Sequence, residues 1–568
     1  MEKRWTIKRA ADTAVRSTLK DSLNVDDVIA GLLAQRDIKS YEEAKDFFRP
    51  SVQQLHDPFL MKDMDAAITR IEKAIQAGEK ILIYGDFDVD GTTAVALVYS
   101  FFKKKYNNID FYIPDRYAEG YGISFKGIDF AKENGFTLVI ALDCGIKAND
   151  KIDYANKSKI DFVICDHHRT GNELPKAVAV LDPKRSDCTY PYDELSGCGI
   201  GFKLIQGYAQ KNNISFDELA TYLDLVVISI GADIVPITGE NRILAYYGLK
   251  QINSSPRLGI KTLLELNNIK RELTISDLVF ILGPRINAAG RIDSGRKAVE
   301  LLVSGNKEAA IASSEFINSN NLQRRDIDVS ITQQALALME NDETLTKRKT
   351  TVLFNASWHK GVIGIVASRM IEKYYRPTII LTESNGMATG SARSVKDFDV
   401  YQAIDACSHL LEQFGGHKYA AGLTLKMENI EAFTQKFEEV VSTTIAEHLL
   451  IPEVEIDSVL KLSDINPKFY RVLKQFAPFG PGNMSPVFMT ENILDKGMAR
   501  MVGTNHLKLD IYNPENPTQI ISAIGFGFGK YVNEVLKNKP FKICYAIEEN
   551  EWNGNITLQL NIKDLKFE

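Results

Sequence analysis

The stretch from Lys80 to Thr93, which reads K-I-L-I-Y-G-D-F-D-V-D-G-T-T, limits the possible folds of this chain more than any other. Its apolar residues Ile81 to Tyr84 predict a short buried strand. Three carboxylates follow that strand at alternate positions: Asp86, Asp88 and Asp90. Carboxylates crowded at one strand end repel each other unless cations neutralise their charge. The stretch therefore predicts a divalent metal site at the end of a strand.

The residues after the three carboxylates predict a turn and then a helix. Gly91 is expected to allow a tight turn, because glycine has no side chain to restrict its backbone. Thr92 or Thr93 is expected to cap a helix over residues 94–105. This arrangement would place the metal site between a strand and the start of a helix.

The order of strand, acidic residue and helix is repeated along the chain. Three further apolar runs, at residues 137–142, 161–165 and 177–181, predict strands. Each run is followed by an acidic residue, in turn Asp143, Asp166 and Asp182. Strands that alternate with helices predict an α/β fold with a parallel sheet covered on both faces. Ligands bind such sheets at the carboxyl ends of the strands, where these acidic residues are expected to meet.

Two histidines, His167 and His168, directly follow Asp166. An isolated Asp-His-His sequence usually lies in a solvated turn or contributes a histidine to the protein core, where hydrogen bonds satisfy its ring. Here it follows a buried strand, level with two other strands that end in acidic residues, which favours a functional site. Imidazole with carboxylates suits Mn²⁺, whereas carboxylates alone suit Mg²⁺.

A largely helical region follows, and it contains Asp233 in the sequence G-A-D-I-V-P. Further on, Arg285 and Arg291 lie six residues apart in G-P-R-I-N-A-A-G-R-I, which we expect to be rich in turns. The run from Lys307 to Met339 contains neither Gly nor Pro and predicts one long helix that connects two domains.

A second α/β domain is predicted from Thr350 onward, and its charge differs from that of the whole chain. Residues 346–425 contain ten Lys or Arg and six Asp or Glu, a local excess of four positive charges, whereas the whole chain carries a net charge of −6. Glycines beside several of its polar residues would let phosphate groups approach the backbone closely. The candidate phosphate-binding residues in this domain are His359, Arg369, Ser391, Arg393 and His417.

Short alternating segments separated by Gly, Pro and Asn turns begin near Pro452 and predict a small all-β, OB-like domain. No apolar run is long enough to span a membrane, and the N-terminus lacks the apolar core of a signal peptide. The six cysteines form no C-x-x-C pair and are expected to be reduced thiols. We therefore expect a soluble, cytoplasmic, multidomain protein.

The acidic stretch has two other interpretations. An EF-hand requires a bidentate Glu at position 12 of its loop, where this chain has Leu97, and a helix rather than a strand before it. The segment D-V-D-G-T (88–92) also resembles the nucleophile loop of haloacid-dehalogenase-type phosphatases, in which Asp88 would be a covalent nucleophile. That alternative leaves Asp143 and the two histidines unexplained.

Taken together, the motifs resemble the DHH phosphoesterase superfamily and, within it, the RecJ-type exonucleases. The resemblance covers residues 60–568 and includes G-D-F-D-V-D-G, I-P-D-R, L-D-C-G, D-H-H, A-D-I-V-P, P-R-I-N-A-A-G-R, W-H-K-G-V-I-G, S-A-R-S and G-G-H-K-Y-A-A-G. It implies an N-terminal extension (1–60), a DHH catalytic domain with a helical region (61–305), a connecting helix (306–345), a DHHA1-like domain (346–450) and an OB-like domain (451–568).

The resemblance also implies a centre of two divalent cations, Mn²⁺ or Mg²⁺, that activates a water and stabilises the entering and leaving oxygens. The implied metal ligands are Asp86, Asp88, Asp90, Asp143, His167 and Asp233. His168 would contact the scissile phosphate, and Asp166 would orient the histidines. Many members of the superfamily have a histidine where this chain has Tyr84, so Asp86 or a water would take that ligand's place.

By the same resemblance, Arg116, Ser391 and Arg393 would clamp a 5′-terminal phosphate, and His417 would bind phosphate near the metals. Arg285 and Arg291 would follow the strand backbone. Stacking contacts in the β domain are expected from three aromatic residues, Phe476, Phe479 and Tyr512.

The expected function is degradation of single-stranded DNA from its 5′ end to 5′-mononucleotides in DNA repair and recombination. The expected protein is a monomer that binds no membrane, with a single-strand-binding protein and a helicase as partners. The alternatives are a DHH phosphodiesterase of short oligonucleotides or cyclic dinucleotides, and a binding protein with an inactive DHH site. The presence of all the implied ligands favours an active enzyme.

Overall fold

The computed structural model describes residues 2–292, 294–552 and 554–567, and the chain forms two compact units. Unit A consists of Arg49–Arg325 together with the short segment Ala477–Met484. Unit B consists of Met1–Phe48, Asp326–Phe476 and Ser485–Glu568. The long helix that was predicted from Lys307 continues across the division between the units.

The strands, in chain order, are β1 (Arg4–Ile7), β2 (Lys80–Gly85), β3 (Ile109–Tyr112), β4 (Phe136–Leu142), β5 (Asp161–Cys165), β6 (Ala179–Leu181), β7 (Thr351–Phe354), β8 (Thr378–Ser384), β9 (Met387–Arg393), β10 (Gln413–His417), β11 (Ala420–Lys426), β12 (Glu453–Ile456), β13 (Ser458–Val459), β14 (Phe488–Asp495), β15 (Arg500–Val502), β16 (His506–Asn513), β17 (Asn516–Gly525), β18 (Phe541–Trp552) and β19 (Asn555–Phe567).

The helices are α1 (Thr13–Leu23), α2 (Asp27–Ala34), α3 (Tyr41–Phe48), α4 (Met64–Ala77), α5 (Val89–Lys103), α6 (Phe125–Glu133), α7 (Asn149–Lys157), α8 (Gly197–Lys211), α9 (Phe216–Ala220), α10 (Leu223–Ala232), α11 (Gly239–Ser254), α12 (Leu258–Leu266), α13 (Ile275–Asp277), α14 (Gly283–Ile292), α15 (Arg296–Leu302), α16 (Lys307–Asn341), α17 (Glu343–Lys347), α18 (Ile363–Lys373), α19 (Val400–Asp405), α20 (Ile430–Thr444), α21 (Pro467–Lys474) and α22 (Val532–Val535). A π-helical turn, Leu278–Leu282, precedes α14.

The sheet of unit A is parallel throughout, with strand order β3-β2-β4-β5-β6. Alternate residues along each strand face two different apolar cores. One core includes residues of α4, α5 and α8, and the other includes residues of α6 and α7. The prediction of a parallel sheet covered on both faces is therefore confirmed.

The chain reverses its direction of winding at β2, because β3 lies on one side of that strand and β4 on the other. Such a reversal opens a crevice at the carboxyl ends of the two central strands, and ligands bind there in open α/β sheets. The segments directly after β2 and β4, including the first turn of α5, carry four of the predicted metal ligands, which places those ligands at this crevice.

Two local predictions in unit A were wrong. Gly91 lies inside α5 rather than in a turn, and a Cβ atom there would come within 2.5 Å of the backbone of Asp86. Glycine is thus required for close packing of the helix against the acidic loop. The segment predicted to be rich in turns is helix α14, so Arg285 and Arg291 point to different sides of one helix.

In unit B, a five-stranded sheet of order β10-β11-β9-β8-β7 forms the second α/β region. The C-terminal strands form a sheet of order β13-β14-β18-β19-β17-β16-β15, and an additional pairing of β14 with β16 closes five of them into a barrel. This agrees with the predicted OB-like domain. Among the described residues, no helix is both long enough and apolar enough to cross a membrane.

Met1–Phe48, which make up most of the predicted N-terminal extension (1–60), belong to unit B. Strand β1 pairs in parallel with β12, with Trp5 opposite Val454. Lys8 forms an ion pair with Asp457 at 2.8 Å. The first strand of the chain is therefore completed by residues about 450 positions later, which no local pattern could reveal.

Candidate metal centre

The acidic loop after β2 places its three carboxylates at the start of α5. Asp88 is the N-cap of that helix, and its side chain accepts a hydrogen bond from the Gly91 N–H at 3.0 Å. The predicted caps, Thr92 and Thr93, instead hydrogen-bond to backbone carbonyls within the first turn. Asp86 is fully buried and accepts a hydrogen bond from the Gly122 N–H at 3.3 Å.

The carboxylate of Asp90 is held by the N-terminus of α8. The backbone N–H groups of Gly197 and Cys198 each donate a hydrogen bond to it at 2.7 Å, and the Ser229 hydroxyl does so at 2.7 Å. The unpaired N–H groups and the dipole of a helix N-terminus stabilise negative charge. Asp90 is thereby fixed in orientation in a buried position.

Helix α8 also packs directly against Asp143. A Cβ atom on Gly197 would lie 2.6 Å from the Asp143 Cβ and 2.7 Å from its Oδ1, so no other residue fits there without a shift. Asp143 itself adopts a φ of +58°, in the left-handed region that L-residues rarely occupy. This unfavourable backbone conformation turns the carboxylate into the crevice.

His167 is the common neighbour of three carboxylates. Its Nε2 lies 3.2 Å from Asp143 Oδ1 and 3.6 Å from oxygens of Asp90 and Asp233. Two sets of side chains could each hold a metal ion, and His167 belongs to both. They are Asp143 with His167 and His168, and Asp90 with His167 and Asp233. Four of the six predicted ligands thus converge on one point, and His168 lies beside them.

Among the described residues, protein groups do not offset the burial and mutual repulsion of these carboxylates. Burial raises the pKa values of Asp86, Asp143 and Asp233 well above their usual range, and repulsion between the carboxylates raises them further. Burial lowers the pKa of His167 despite its acidic neighbours. Protein groups alone therefore leave the carboxylates in an unfavourable environment.

Several atoms of the cluster also lack a hydrogen-bond partner among the described residues. These atoms are Asp86 Oδ2, Asp143 Oδ1 and both ring nitrogens of His167. Buried polar atoms are normally paired, and an unpaired group costs about 1–3 kcal/mol. Carboxylate oxygens and an imidazole nitrogen aimed at one point form the donor set of Mn²⁺ or Mg²⁺, so these residues fit the predicted metal.

The carboxylate of Asp166 lies beside the ring of His168. This carboxylate accepts hydrogen bonds from the Ile146 N–H at 2.9 Å, the His168 N–H at 3.1 Å and His168 Nδ1 at 2.7 Å. Burial alone would raise the pKa of Asp166, but the hydrogen bond and charge of His168 outweigh it and lower the pKa to about 2. Burial likewise lowers the pKa of His168, yet Asp166 raises it overall to about 9.

Tyr121 contributes to the site although the sequence did not single it out. Its hydroxyl lies 3.2 Å from His168 Nε2 and donates a hydrogen bond to the Asp143 backbone oxygen at 3.2 Å. The other missed residues hold Asp90, namely Gly197, Cys198 and Ser229. A usable signal was present in S-G-C-G-I-G (196–201), where a Ser cap and glycines at a helix start indicate an anion site.

Tyr84, at the position of the expected histidine, is not a ligand in this structure. It is almost fully buried, and its hydroxyl donates a hydrogen bond to the Gly122 backbone oxygen at 2.9 Å. Tyr84 thus holds the loop that in turn binds Asp86. Asp86 Oδ2 has no hydrogen-bond partner among the described residues, and the substitution of Asp86 or a water for the missing ligand stays a prediction.

The three predicted phosphate-binding arginines of unit A differ in their surroundings. Arg116 lies over the Phe87 ring at 4.6 Å, beside the acidic loop. Helix α14 brings Arg291 close to the same loop, because a Cβ on the preceding Gly290 would lie 2.8 Å from the Phe87 carbonyl. Arg285 instead donates hydrogen bonds to Asn267, Asn318 and the Ile281 carbonyl. Arg116 and Arg291 are therefore placed near the metal centre, whereas Arg285 stabilises the helical region.

In unit B, three of the predicted phosphate-binding residues share one face of the five-stranded sheet. Ala420 of β11 pairs with both Arg393 and His417, and directly paired residues of antiparallel strands share a face. Ser391 lies two residues before Arg393, on the same face. Gly364, at the start of α18, lies against this pair, since a Cβ there would be 2.9 Å from both side chains.

The other two candidates in unit B have structural contacts. Arg369 forms an ion pair at 2.7 Å with Asp328, which is fully buried in α16. His359 accepts a hydrogen bond from the Gly361 N–H at 3.1 Å and shapes the loop before α18. Their role in binding phosphate stays a prediction.

Three family models match the chain in order along the sequence. They are the DHH family N-terminal domain (residues 80–230), the DHHA1 domain (347–443) and the RecJ OB domain (456–564).

The chain is similar over nearly its whole length to proteins described as single-stranded-DNA-specific exonuclease RecJ. The protein of Bacillus subtilis (strain 168) is 36% identical over 99% of this chain and 70% of its own length. That of Salmonella typhimurium (strain LT2) is 32% identical, over 94% of this chain and 95% of its own.

Solved structures show the same fold. RecJ from Thermus thermophilus in complex with Mn²⁺ matches 99% of this chain and 79% of its own, with 24% identity and a TM-score of 0.85. The structure of RecJ from Thermus thermophilus in complex with Mg²⁺ matches 99% of this chain and 78% of its own, with 23% identity and a TM-score of 0.77. The similarity in sequence extends through the acidic loop, the histidine pair and the β barrel, and the chain belongs to the RecJ family.

Proposed function

We propose that this protein is a metal-dependent exonuclease that degrades single-stranded DNA in DNA repair and recombination. The observation that carries the proposal is the cluster around His167, where three carboxylate oxygens lie within 3.6 Å of one imidazole nitrogen. Relatives described as single-stranded-DNA-specific exonucleases support the substrate. Because the predicted metal-ligand residues are present, we expect this protein to be an active exonuclease.

The cations would be held by Asp86, Asp88, Asp90, Asp143, His167 and Asp233. When bound, two divalent cations would supply polarisation of a phosphodiester and a lower pKa for a water molecule. The protein residues orient the reacting groups. Asp166 holds His168 Nδ1, so His168 Nε2 is directed at the crevice beside the Tyr121 hydroxyl. From there it can donate a proton or a hydrogen bond to an oxygen of the scissile phosphate.

We propose that degradation runs from the 5′ end and releases 5′-mononucleotides. Arg393 and Ser391 are adjacent on one sheet face, and Arg393 Nη1 donates a hydrogen bond to Ser391 Oγ at 3.1 Å. Arginine binds the oxygens of a terminal phosphate in a bidentate manner. These two residues would bind the 5′ phosphate, and His417 on the same face would assist. Arg116 is likewise proposed to bind a phosphate of the DNA strand.

We further propose that the enzyme is a cytoplasmic monomer that receives its substrate from other proteins. A nuclease limited to single strands needs a helicase to separate duplex DNA. A single-strand-binding protein would hold the separated strand until it enters the enzyme. The closed β barrel provides a fold that commonly binds single strands by stacking and backbone contacts.

The test compares DNA strands of one sequence in Mn²⁺ or Mg²⁺: single-stranded with a 5′ phosphate, single-stranded with a 5′ hydroxyl, and blunt duplex. A 3′ label is expected to give a ladder of fragments that shorten with time, and a 5′ label to give only a mononucleotide. The duplex is expected to remain intact.

Asp143→Asn removes one carboxylate from the cluster and is expected to abolish cleavage. The matched control is Asp161→Asn, because Asp161 lies at the amino end of β5, on the opposite edge of the same sheet, where it pairs with Arg70. Cleavage of dinucleotides with no attack on longer strands would contradict the proposal and favour the phosphodiesterase alternative.

A further inference from the structure

The loop that carries Asp233 is stabilised by a segment located about 245 residues later in the sequence. Asp233 is the C-cap residue of α10, and the next residue, Ile234, has a φ of +60° with its side chain 62% exposed. A β-branched residue rarely adopts this left-handed conformation, which is strained for it. Such a conformation persists only where neighbouring contacts hold the loop.

Those contacts come from two directions. On one side, the Asn241 side chain donates a hydrogen bond to the Pro236 carbonyl at 3.0 Å. On the other side, the Ile237 N–H donates a hydrogen bond to the Pro481 carbonyl at 2.7 Å. Pro481 belongs to Ala477–Met484, the segment that forms part of unit A although the residues before and after it belong to unit B. We call Ala477–Met484 the buttress segment.

The buttress segment has a defined local structure. Gly480 to Asn483 form a tight turn in which the Asn483 N–H donates a hydrogen bond to the Gly480 carbonyl at 2.9 Å. Proline at the second position and Gly482, with a φ of +72°, at the third are the residues that a type II turn requires. The Asn483 side chain, almost fully buried, donates to the Pro478 carbonyl at 2.8 Å. The turn therefore presents the Pro481 carbonyl as a rigid acceptor.

The segment is packed against the Asp233 loop at close range. A Cβ atom on Gly480 would lie 2.6 Å from Ile237 Cγ1, and one on Gly482 would lie 2.9 Å from Thr238 Cγ2. Arg242, buried in α11, donates hydrogen bonds to the carbonyls of Ala477 at 3.1 Å and Pro478 at 3.5 Å.

From these contacts we infer that the buttress segment positions Asp233 and thereby sets the affinity of the centre for a divalent cation. The inference rests on the proposed function, since it concerns the same metal centre. Asp233 is the most exposed carboxylate of the cluster and ends a helix, so its position depends on the loop that follows it. Changes in residues that orient a metal ligand typically lower metal affinity about 10–100-fold. The buttress segment is a positioning element, and none of its residues is proposed to touch the substrate.

The test is Gly480→Ala, read out by Mn²⁺ binding in isothermal titration calorimetry and by the electron paramagnetic resonance signal of free Mn²⁺. We expect the affinity of one of the two Mn²⁺ sites to fall about tenfold. The thermal unfolding midpoint in EDTA is expected to stay close to that of the unchanged protein. The matched control is Gly305→Ala, also in unit A, where an added Cβ meets nothing within 4 Å.

Two further variants separate positioning from general damage. In an Asp233→Asn background, adding Gly480→Ala is expected to cause no further loss of Mn²⁺ affinity, because both changes act through one ligand. Adding Ile237→Ala to Gly480→Ala removes the clashing Cγ1 and is expected to restore part of the affinity. If Gly480→Ala yields no folded protein, Arg242→Lys tests the same docking, because lysine cannot reproduce the forked donors of arginine.

Unchanged Mn²⁺ affinity in Gly480→Ala would overturn the inference, as would an equal additional loss in the Asp233→Asn background. A result that refutes the exonuclease can be distinguished from a result that refutes the role of the buttress segment. A protein that binds two Mn²⁺ ions with the expected dependence on Gly480, yet cleaves no DNA strand, would leave the inference intact and refute the exonuclease.

Discussion

The metal centre in unit A and the candidate phosphate-binding face in unit B differ in how the charges of their side chains are balanced. In the metal centre, carboxylates are buried and lack balancing cations among the described protein groups, so their pKa values are raised. On the face of unit B, Ser391 and Arg393 are partly exposed and hydrogen-bond to each other and to the Ala392 backbone. The first arrangement is unfavourable without a ligand, whereas the second is stable without one. A bound metal should therefore affect stability, and a bound phosphate end should mainly affect affinity.

The strongest test of this contrast is Asp143→Asn, which should move activity and stability in opposite directions. Cleavage is expected to fall by at least about a thousandfold, since metal-bound charge stabilisation is worth several kcal/mol. In EDTA, the variant is expected to be more stable by about 1 kcal/mol, because one charge leaves a crowded site and Asn tolerates a positive φ. Initial rates and thermal unfolding measure the two effects. Lower stability of the variant in EDTA would show that the cluster is balanced without metal.

A second test concerns orientation rather than charge in the metal centre. Asp166→Asn leaves the predicted ligands in place but removes the negative charge beside His168 Nδ1 and replaces one of the two acceptor oxygens with an amide donor. The rate constant for cleavage is expected to fall about 10–100-fold with Mn²⁺ affinity nearly unchanged. Single-turnover kinetics and calorimetry measure these quantities. A large loss of Mn²⁺ affinity would mean that Asp166 acts mainly through His167.

The third test addresses the face in unit B. Arg393→Ala is expected to reduce the preference for a 5′ phosphate over a 5′ hydroxyl about tenfold, with the rate at saturating substrate little changed. The matched control is Lys426→Ala, an exposed cation on β11 of the same sheet. The measurement is KM for strands with a 5′ phosphate and for strands with a 5′ hydroxyl. An equal loss of rate on both ends would place Arg393 in the chemistry instead.

The smallest effect on activity is expected from Arg369→Ala. The sequence suggested Arg369 as a phosphate ligand, but it pairs with the buried Asp328. Its removal would take the ion-pair partner Arg369 away from a buried carboxylate and is expected to lower the free energy of unfolding by about 1–3 kcal/mol. The preference for a 5′ phosphate should not change. A reduced preference in this variant, without loss of stability, would restore the original prediction.

The sequence predicted the strands of unit A well, because buried parallel strands are short apolar runs with clear ends. The run 161–165 matches β5 in full. Strand β3 (Ile109–Tyr112) was missed, since it has only four residues and Asp110 interrupts its apolar run. Its partner β2 supplies the pairing that makes it a strand.

The ligands could be predicted for a related reason. A carboxylate at the end of a buried parallel strand must lie at a common edge, so Asp143 and Asp90 could be brought together without a structure. The groups that hold them could not. The N–H groups of Gly197 and Cys198 and the Ser229 hydroxyl belong to helices whose placement depends on packing across the whole unit. Tyr121 approaches His168 from a loop with no periodic pattern.

Unit A is formed from two separate stretches of the chain. This limits where the protein can be cut and which segments can be exchanged with those of a related protein. A fragment ending at Phe476 would contain every predicted metal ligand but not the turn that accepts the hydrogen bond from Ile237. Gene recombination with a crossover between residues 240 and 477 would join the Asp233 loop of one parent to the turn of the other. We therefore expect the sequence of the Asp233 loop and the sequence of the buttress segment to vary together among related proteins.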